Sequence, residues 1–167
     1  MPTKHRRYSV KSKEAKQILN EVSERLKINE EALFGSKVKL EVVEADVGKI
    51  YLVNGKPLFF KVGEKLLPTL LFQDFASQAP KIVVDMGAVP YVCNGADIMA
   101  PGIVRVEGEF GKGDLVLIVD EKHGKPLALG ESLHDAESAR NTKQGAVVKS
   151  LHFVSDKIWN LTKTLVE

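Results

Sequence analysis

Residues 85–102 hold the densest set of groups able to grip a ligand. They read Asp-Met-Gly-Ala-Val-Pro-Tyr-Val-Cys-Asn-Gly-Ala-Asp-Ile-Met-Ala-Pro-Gly. Gly87, Gly95 and Gly102 permit turns and close approaches that side chains would block. A loop of small residues exposes backbone N–H groups, and these bind phosphate or a base edge. Asp85 is placed to cap the turn near Gly87. The apolar residues 88–93 are too few for an independent helix, and Asn94-Gly95 ends them. Pro101-Gly102 turns into a strand at 103–106. The expected order is strand, short helix, glycine loop, strand.

Other chemistries read more weakly. Residues 108–114, Gly-Glu-Phe-Gly-Lys-Gly-Asp, lack the spacing of a phosphate loop, and a strand follows where a helix should. His134-Asp135 has too few companions for a metal site. Cys93 sits among apolar residues with no adjacent cation to activate it, so a buried filler is expected. Phe153 and Trp159 are expected to seal a core. Tyr91 reads two ways: its neighbours favour the core, yet its phenol could reach a ligand. No catalytic residue, metal or cofactor is expected.

The elements around these residues follow from pattern. Ser12 is an expected N-cap, followed by Ala15, Ile18, Leu19, Val22 and Leu26 at helical spacing to about Lys27. Asn29 caps a second, short helix that stops at Gly35. Val38, Leu40 and Val42 alternate with polar residues as a strand does. Residues 50–60 form a hairpin about Asn54-Gly55, with Pro57 at a strand edge or start. Pro68-Thr69 is expected to open a third helix. Residues 104–107, 115–119, 126–133 and 146–153 read as strands separated by glycine turns, which predicts a small barrel. Residues 132–140 can hold a helical turn. Ser155 or Asp156 caps a last segment.

The chain has 167 residues and 44% hydrophobic composition, enough for one large or two small cored domains. No apolar run reaches membrane-spanning length, and the start lacks a secretion signal. The lone cysteine forbids an internal disulfide. A cytoplasmic monomer with no membrane contact is expected. Net charge is +2, but residues 1–16 carry six Lys and Arg against one Glu. Arg6, Arg7, Lys11 and Lys13 are therefore candidate phosphate contacts on a basic arm.

Several motifs in order resemble the PUA domain, an RNA-binding domain. They are Val84-Asp85-x-Gly87-Ala88, Gly95-Ala96-Asp97, Pro101-Gly102, Gly113-Asp114, Leu127-Ala128-x-Gly130, Gly145-Ala146-Val147 and Asp156-x-x-Trp159. Residues 56–60, 67–70, 98–102 and 151–159 extend the likeness to the malignant T-cell-amplified sequence and ligatin family of translation-associated proteins. The resemblance implies an α+β chain: a pre-PUA module at 1–78 and a PUA pseudo-β-barrel at 79–167. It implies non-catalytic binding of tRNA or the small ribosomal subunit, with a protein partner possible. The 78 preceding residues are too few for the catalytic domains of PUA-bearing RNA-modifying enzymes. An accessory subunit of such an enzyme, or a protein-interaction module, is the alternative. The implied RNA contacts are Gly87, Ala88, Tyr91, Gly95, Ala96, Asp97, Met99, Pro101, Gly102 and Lys149. Gly95→Val is expected to harm binding more than stability.

Overall fold

The computed structural model describes residues 5–166, which form two compact units. The first comprises the residues up to Phe75 together with those from Asn160 onward; the second is Ala76–Trp159.

In the first unit, β1 (His5–Ser9), β2 (Leu40–Ala45), β3 (Gly48–Val53), β4 (Lys56–Val62) and β5 (Lys65–Pro68) form an antiparallel meander in sequence order. Arg6 and Arg7 of the basic arm thus lie in the edge strand β1, and Lys4 lies outside the described residues. The strand pairs with β2 in the register Arg6 to Glu44 and Arg7 to Val43. The turn between β3 and β4 has both Asn54 and Gly55 at positive φ, as the Asn-Gly pair predicts. Pro57 is the second residue of β4, which lies between two neighbours. Strand β5 was not foreseen: Pro68 ends it and opens no helix.

Helix α1 (Ser12–Leu26) buries Ala15, Leu19, Val22 and Leu26, the stripe its periodicity predicts. Its N-cap is Lys11 with no side-chain bond, so Ser12 does not cap it. Asn29 caps α2 (Glu30–Phe34) by accepting the Ala32 N–H at 3.1 Å. Val22, Ile50, Leu52, Phe59 and Phe72 are fully buried in this unit's core. Helix α3 (Gln73–Gln78) then spans the change of unit.

The second unit is a curled sheet. Its strands β6 (Lys81–Val84), β7 (Ile98–Met99), β8 (Ile103–Glu107), β9 (Leu115–Asp120), β10 (Pro126–Ser132) and β11 (Ala146–Phe153) lie in the order β7-β11-β10-β9-β6-β8. Only β6 and β9 pair in parallel among the described strands. The core gathers Ile82, Val84, Val92, Ile98, Val116, Ile118, Ala128, Val147 and Val148. Strands β10 and β11 meet very closely: a Cβ on Gly130 would lie 2.2 Å from Val148 Cγ1 and 2.8 Å from the Lys149 carbonyl oxygen. Only glycine fits there.

Helix α4 (Val89–Val92) and a 3₁₀ turn at Ala100–Gly102 lie in the first part of this unit, and α5 (Ala136–Asn141) in the second. Asp135 caps α5 by accepting the Ser138 N–H at 2.7 Å, so it serves the fold. Helix α6 (Lys157–Val166) begins in the second unit, and its residues from Asn160 group with the first. Of the two candidate caps, Asp156 is the one used, with Oδ1 accepting the Trp159 N–H at 2.7 Å. Its Oδ2 meets His152 Nδ1 at 2.8 Å and the Phe153 N–H at 2.9 Å. Burial pushes the Asp156 carboxyl up, but His152 and the two backbone donors outweigh it and hold the carboxyl below its usual range.

A group whose folded pKa is depressed stabilises above its unfolded pKa, and loses that contribution as pH falls through the folded one. Asp156→Asn is therefore expected to destabilise the chain by about 1.5–3 kcal/mol at neutral pH. Thermal melts of both proteins from pH 7 to pH 3 check this. The gap should begin to narrow as pH falls past about 4, where the unfolded carboxyl titrates, and go on narrowing toward the depressed folded pKa below it; a constant gap would contradict the assignment.

Candidate RNA interface

Strand β6 delivers Asp85 to the start of the glycine segment, and the backbone there closes on itself. The Asp85 N–H donates to the Gly102 carbonyl at 2.9 Å, so the two ends of the segment are joined. Asp85 Oδ1 accepts the Ala88 N–H at 2.8 Å, the capping role its position predicts. After α4 the Gly95 N–H bonds the Val92 carbonyl and the Ala96 N–H bonds the Tyr91 carbonyl, each at 3.1 Å. The Ala100 N–H bonds the Gly145 carbonyl at 2.9 Å.

These bonds correct one expectation. The small residues predict a cradle of open amides, but Ala88, Asn94, Gly95, Ala96 and Ala100 all spend theirs within the protein. The outward chemistry is carried by side chains: Tyr91 is 70% exposed, Met99 49% and Met86 42%. Tyr91 is thus a surface residue. Cys93 is half-buried, and burial pushes its thiol pKa up.

A second contact was not legible in the sequence. Asp97 Oδ1 accepts the Ser150 N–H at 3.0 Å, across 53 residues of chain. This bond and the short β7–β11 ladder, in which Met99 faces Ala146 and Ile98 faces Val148, fasten the segment to β11. Lys149 sits between these anchor points, exposed, with no ion pair among the described residues. Its register partner on β10 is Glu131. Tyr91, Ala96, Asp97, Met99 and Pro101 are exposed on the segment tied to this strand, and Ala88 and Gly102 are half-buried beneath it.

The arm residues fall elsewhere. Arg6, Arg7, Lys11 and Lys13 belong to the first unit, and the two arginines are already matched. Arg7 makes a forked contact with Glu41 at 2.9 and 3.1 Å, and Arg6 meets Glu44 at 2.9 Å. Hydrogen bonding to Glu41 raises the Arg7 pKa, and Arg7 lowers that of Glu41 in return. The Tyr8 hydroxyl also donates to Glu44, at 2.6 Å. Arg6 and Arg7 therefore hold the edge strand, while Lys11 and Lys13 stay exposed at the start of α1.

The fold and this surface define a PUA-domain protein. Residues 80–154 match the PUA domain family, and residues 6–73 match a family described as Domain of unknown function (DUF1947). An uncharacterized protein of Methanocaldococcus jannaschii is 36% identical over 93% of this chain and 96% of its own length. Translation machinery-associated protein 20 of Saccharomyces cerevisiae is 30% identical over 78% of this chain and 76% of its own. The crystal structure of a PUA domain from Aeropyrum pernix, a tartrate complex, superposes with a TM-score of 0.84 at 25% identity, covering 99% of this chain and 95% of that one. The chain belongs to the family of PUA-domain proteins that includes translation machinery-associated protein 20, and in this chain the DUF1947 match precedes the PUA match.

Gly95 has φ +91°, and a Cβ there would lie 3.0 Å from the Phe153 ring. The missing side chain points at Phe153, so Gly95→Val does not test a binding surface by itself. Gly95→Ala is expected to cost about 1–3 kcal/mol, lowering the melting temperature by several degrees. Gly87 lacks positive φ, and a Cβ there meets only Asp85 Oδ1 at 3.4 Å. Gly87→Ala is expected to melt with the parent. Equal melting of the two variants would contradict the structural role given to Gly95.

Proposed function

We propose that the chain is a non-catalytic RNA-binding protein of translation that engages tRNA or the small ribosomal subunit through the 85–102 segment and β11. The observation that carries the reading is Lys149: an exposed, unpaired cation on a strand fastened to a loop that presents Tyr91 and Met99. Lys149 supplies sequence-independent attraction to phosphate. The Tyr91 ring offers a face on which an unpaired base can stack. Gly87, Ala88, Gly95, Ala96, Asp97, Pro101 and Gly102 shape the loop, and Met99 adds apolar contact. Membership of a family that contains a translation machinery-associated protein supports the setting. The cytoplasm, where that machinery works, is the proposed place of action. No helix among the described residues is long and apolar enough to cross a membrane.

The two contacts have separable signatures. In anisotropy titrations with tRNA and with small subunits across a salt series, Lys149→Ala should weaken binding and reduce the salt slope by about one. Tyr91→Ala should weaken binding to unpaired RNA by about 1–3 kcal/mol and leave the slope unchanged. Parent-like affinity and slope in both variants would overturn the assignment of this surface.

A further inference from the structure

The Asp97 carboxylate has more accepting capacity than its anchoring bond uses. Its Oδ1 accepts the Ser150 N–H at 3.0 Å, which ties the segment to β11. Asp97 is exposed, and it makes no other hydrogen bond or ion pair among the described residues. Oδ2 is therefore left as an acceptor on the surface, held in place by the bond to its twin. A carboxylate oxygen can accept from two donors, so Oδ1 has capacity left as well.

Two other chemistries lie beside it. The Ala96 N–H bonds the Tyr91 carbonyl at 3.1 Å, so Asp97 follows directly on a residue tied to α4 and its 70% exposed Tyr91. Ser150, which Asp97 anchors, follows the exposed Lys149. A carboxylate near a phosphate-binding cation repels phosphate and weakens the site, unless a donor of the same ligand meets it. A nucleotide offers a base plane, a base edge and a phosphate. Tyr91 and Lys149 answer the first and the last, and Asp97 answers the edge. The four bases differ there. Adenine and cytosine set an amino N–H beside a ring-nitrogen acceptor, and uracil sets its N–H between two carbonyls, so each brings a lone pair against the carboxylate. Guanine alone presents two parallel donors, N1–H and N2–H, which match both oxygens as a bidentate pair. Those donors are free only when the guanine is unpaired, which is also when its face can stack on an aromatic ring.

We propose that Asp97 reads an unpaired guanine at this surface: its carboxylate accepts N1–H and N2–H while the base lies against Tyr91 and a neighbouring phosphate meets Lys149. The inference rests on the RNA-binding reading above and adds to it a base preference. The anchoring bond to Ser150 then has a second use, because it fixes the direction of the oxygens that meet the base.

The test uses the full chain and labelled uridine-rich RNA of about eight nucleotides, within the span of one single-strand site, with one central position varied. Guanosine there should bind about tenfold tighter than adenosine, cytidine or uridine, the discrimination of one bidentate pair. On the parent, 1-methylguanosine, which lacks the N1 donor, and inosine, which lacks the amino group, should each lose most of that advantage. These two probes need no variant. Asp97→Asn keeps an oxygen for the Ser150 N–H, so it should melt close to the parent and keep the salt slope while losing the preference for guanosine. Asp97→Ala should melt lower, because the anchor is gone. A parent that binds 1-methylguanosine as tightly as guanosine, or a guanosine preference that survives Asp97→Asn, would overturn the proposal. Lys149→Ala run in parallel separates this proposal from the reading beneath it: it should weaken all the RNAs alike and leave the preference intact. If the parent binds the four bases equally and Lys149→Ala still weakens them, the guanine assignment falls and the surface stands. If Lys149→Ala and Tyr91→Ala both bind every RNA like the parent, the surface falls and the assignment goes with it.

Discussion

One close approach governs the second unit: β10 and β11 meet at Gly130 with no room for a Cβ. The pairing register shifts there, between Leu129 and Gly130. The other edge of β11 is held by β7 and by the Asp97 carboxylate on the Ser150 N–H. A strand fixed along both edges cannot slide or twist freely, so the exposed Lys149 has a defined direction. The same attachments decide where the glycine segment lies. Its shape is set by hydrogen bonds among its own backbone groups and by the Gly95 contact with Phe153, and its exposed side chains are left for partners.

Charge in this chain is sorted by structure more than by composition. The basic arm looks like the strongest electrostatic feature of the sequence, yet Glu41 and Glu44 of β2 match its two arginines. That matching serves an edge strand, whose open side is guarded by charge. Lys149 on β11, by contrast, is exposed and has no ion pair among the described residues. Exposed ion pairs contribute little stability each, so what the pairing of Arg6 and Arg7 chiefly does is fix where they point.

Local signals were legible in the sequence. Asn54-Gly55 specified its hairpin, Asn29 its cap, and the stripe from Ala15 to Leu26 its helix, because each depends on neighbours within a turn or two. The PUA motifs were legible because their glycines and aspartates answer backbone needs, as Asp85 does at Ala88. What escaped depends on distant partners. The bond from Asp97 to Ser150 spans 53 residues and the fork from Arg7 to Glu41 spans 34. No periodicity encodes either. Strand β5 escaped because Pro68 and Thr69 look like a helix start until Phe59 pairs with Pro68.

The central claim is that RNA meets the 85–102 segment and β11. Amide chemical-shift mapping of the full chain during titration with tRNA tests it most directly. The account predicts saturable shifts concentrated at residues 95–102 and 146–150, with Lys149 and Ser150 among them. Shifts that leave both stretches untouched and gather instead at the 120–125 turn, where Asp120 accepts the His123 and Lys125 N–H groups, would contradict it.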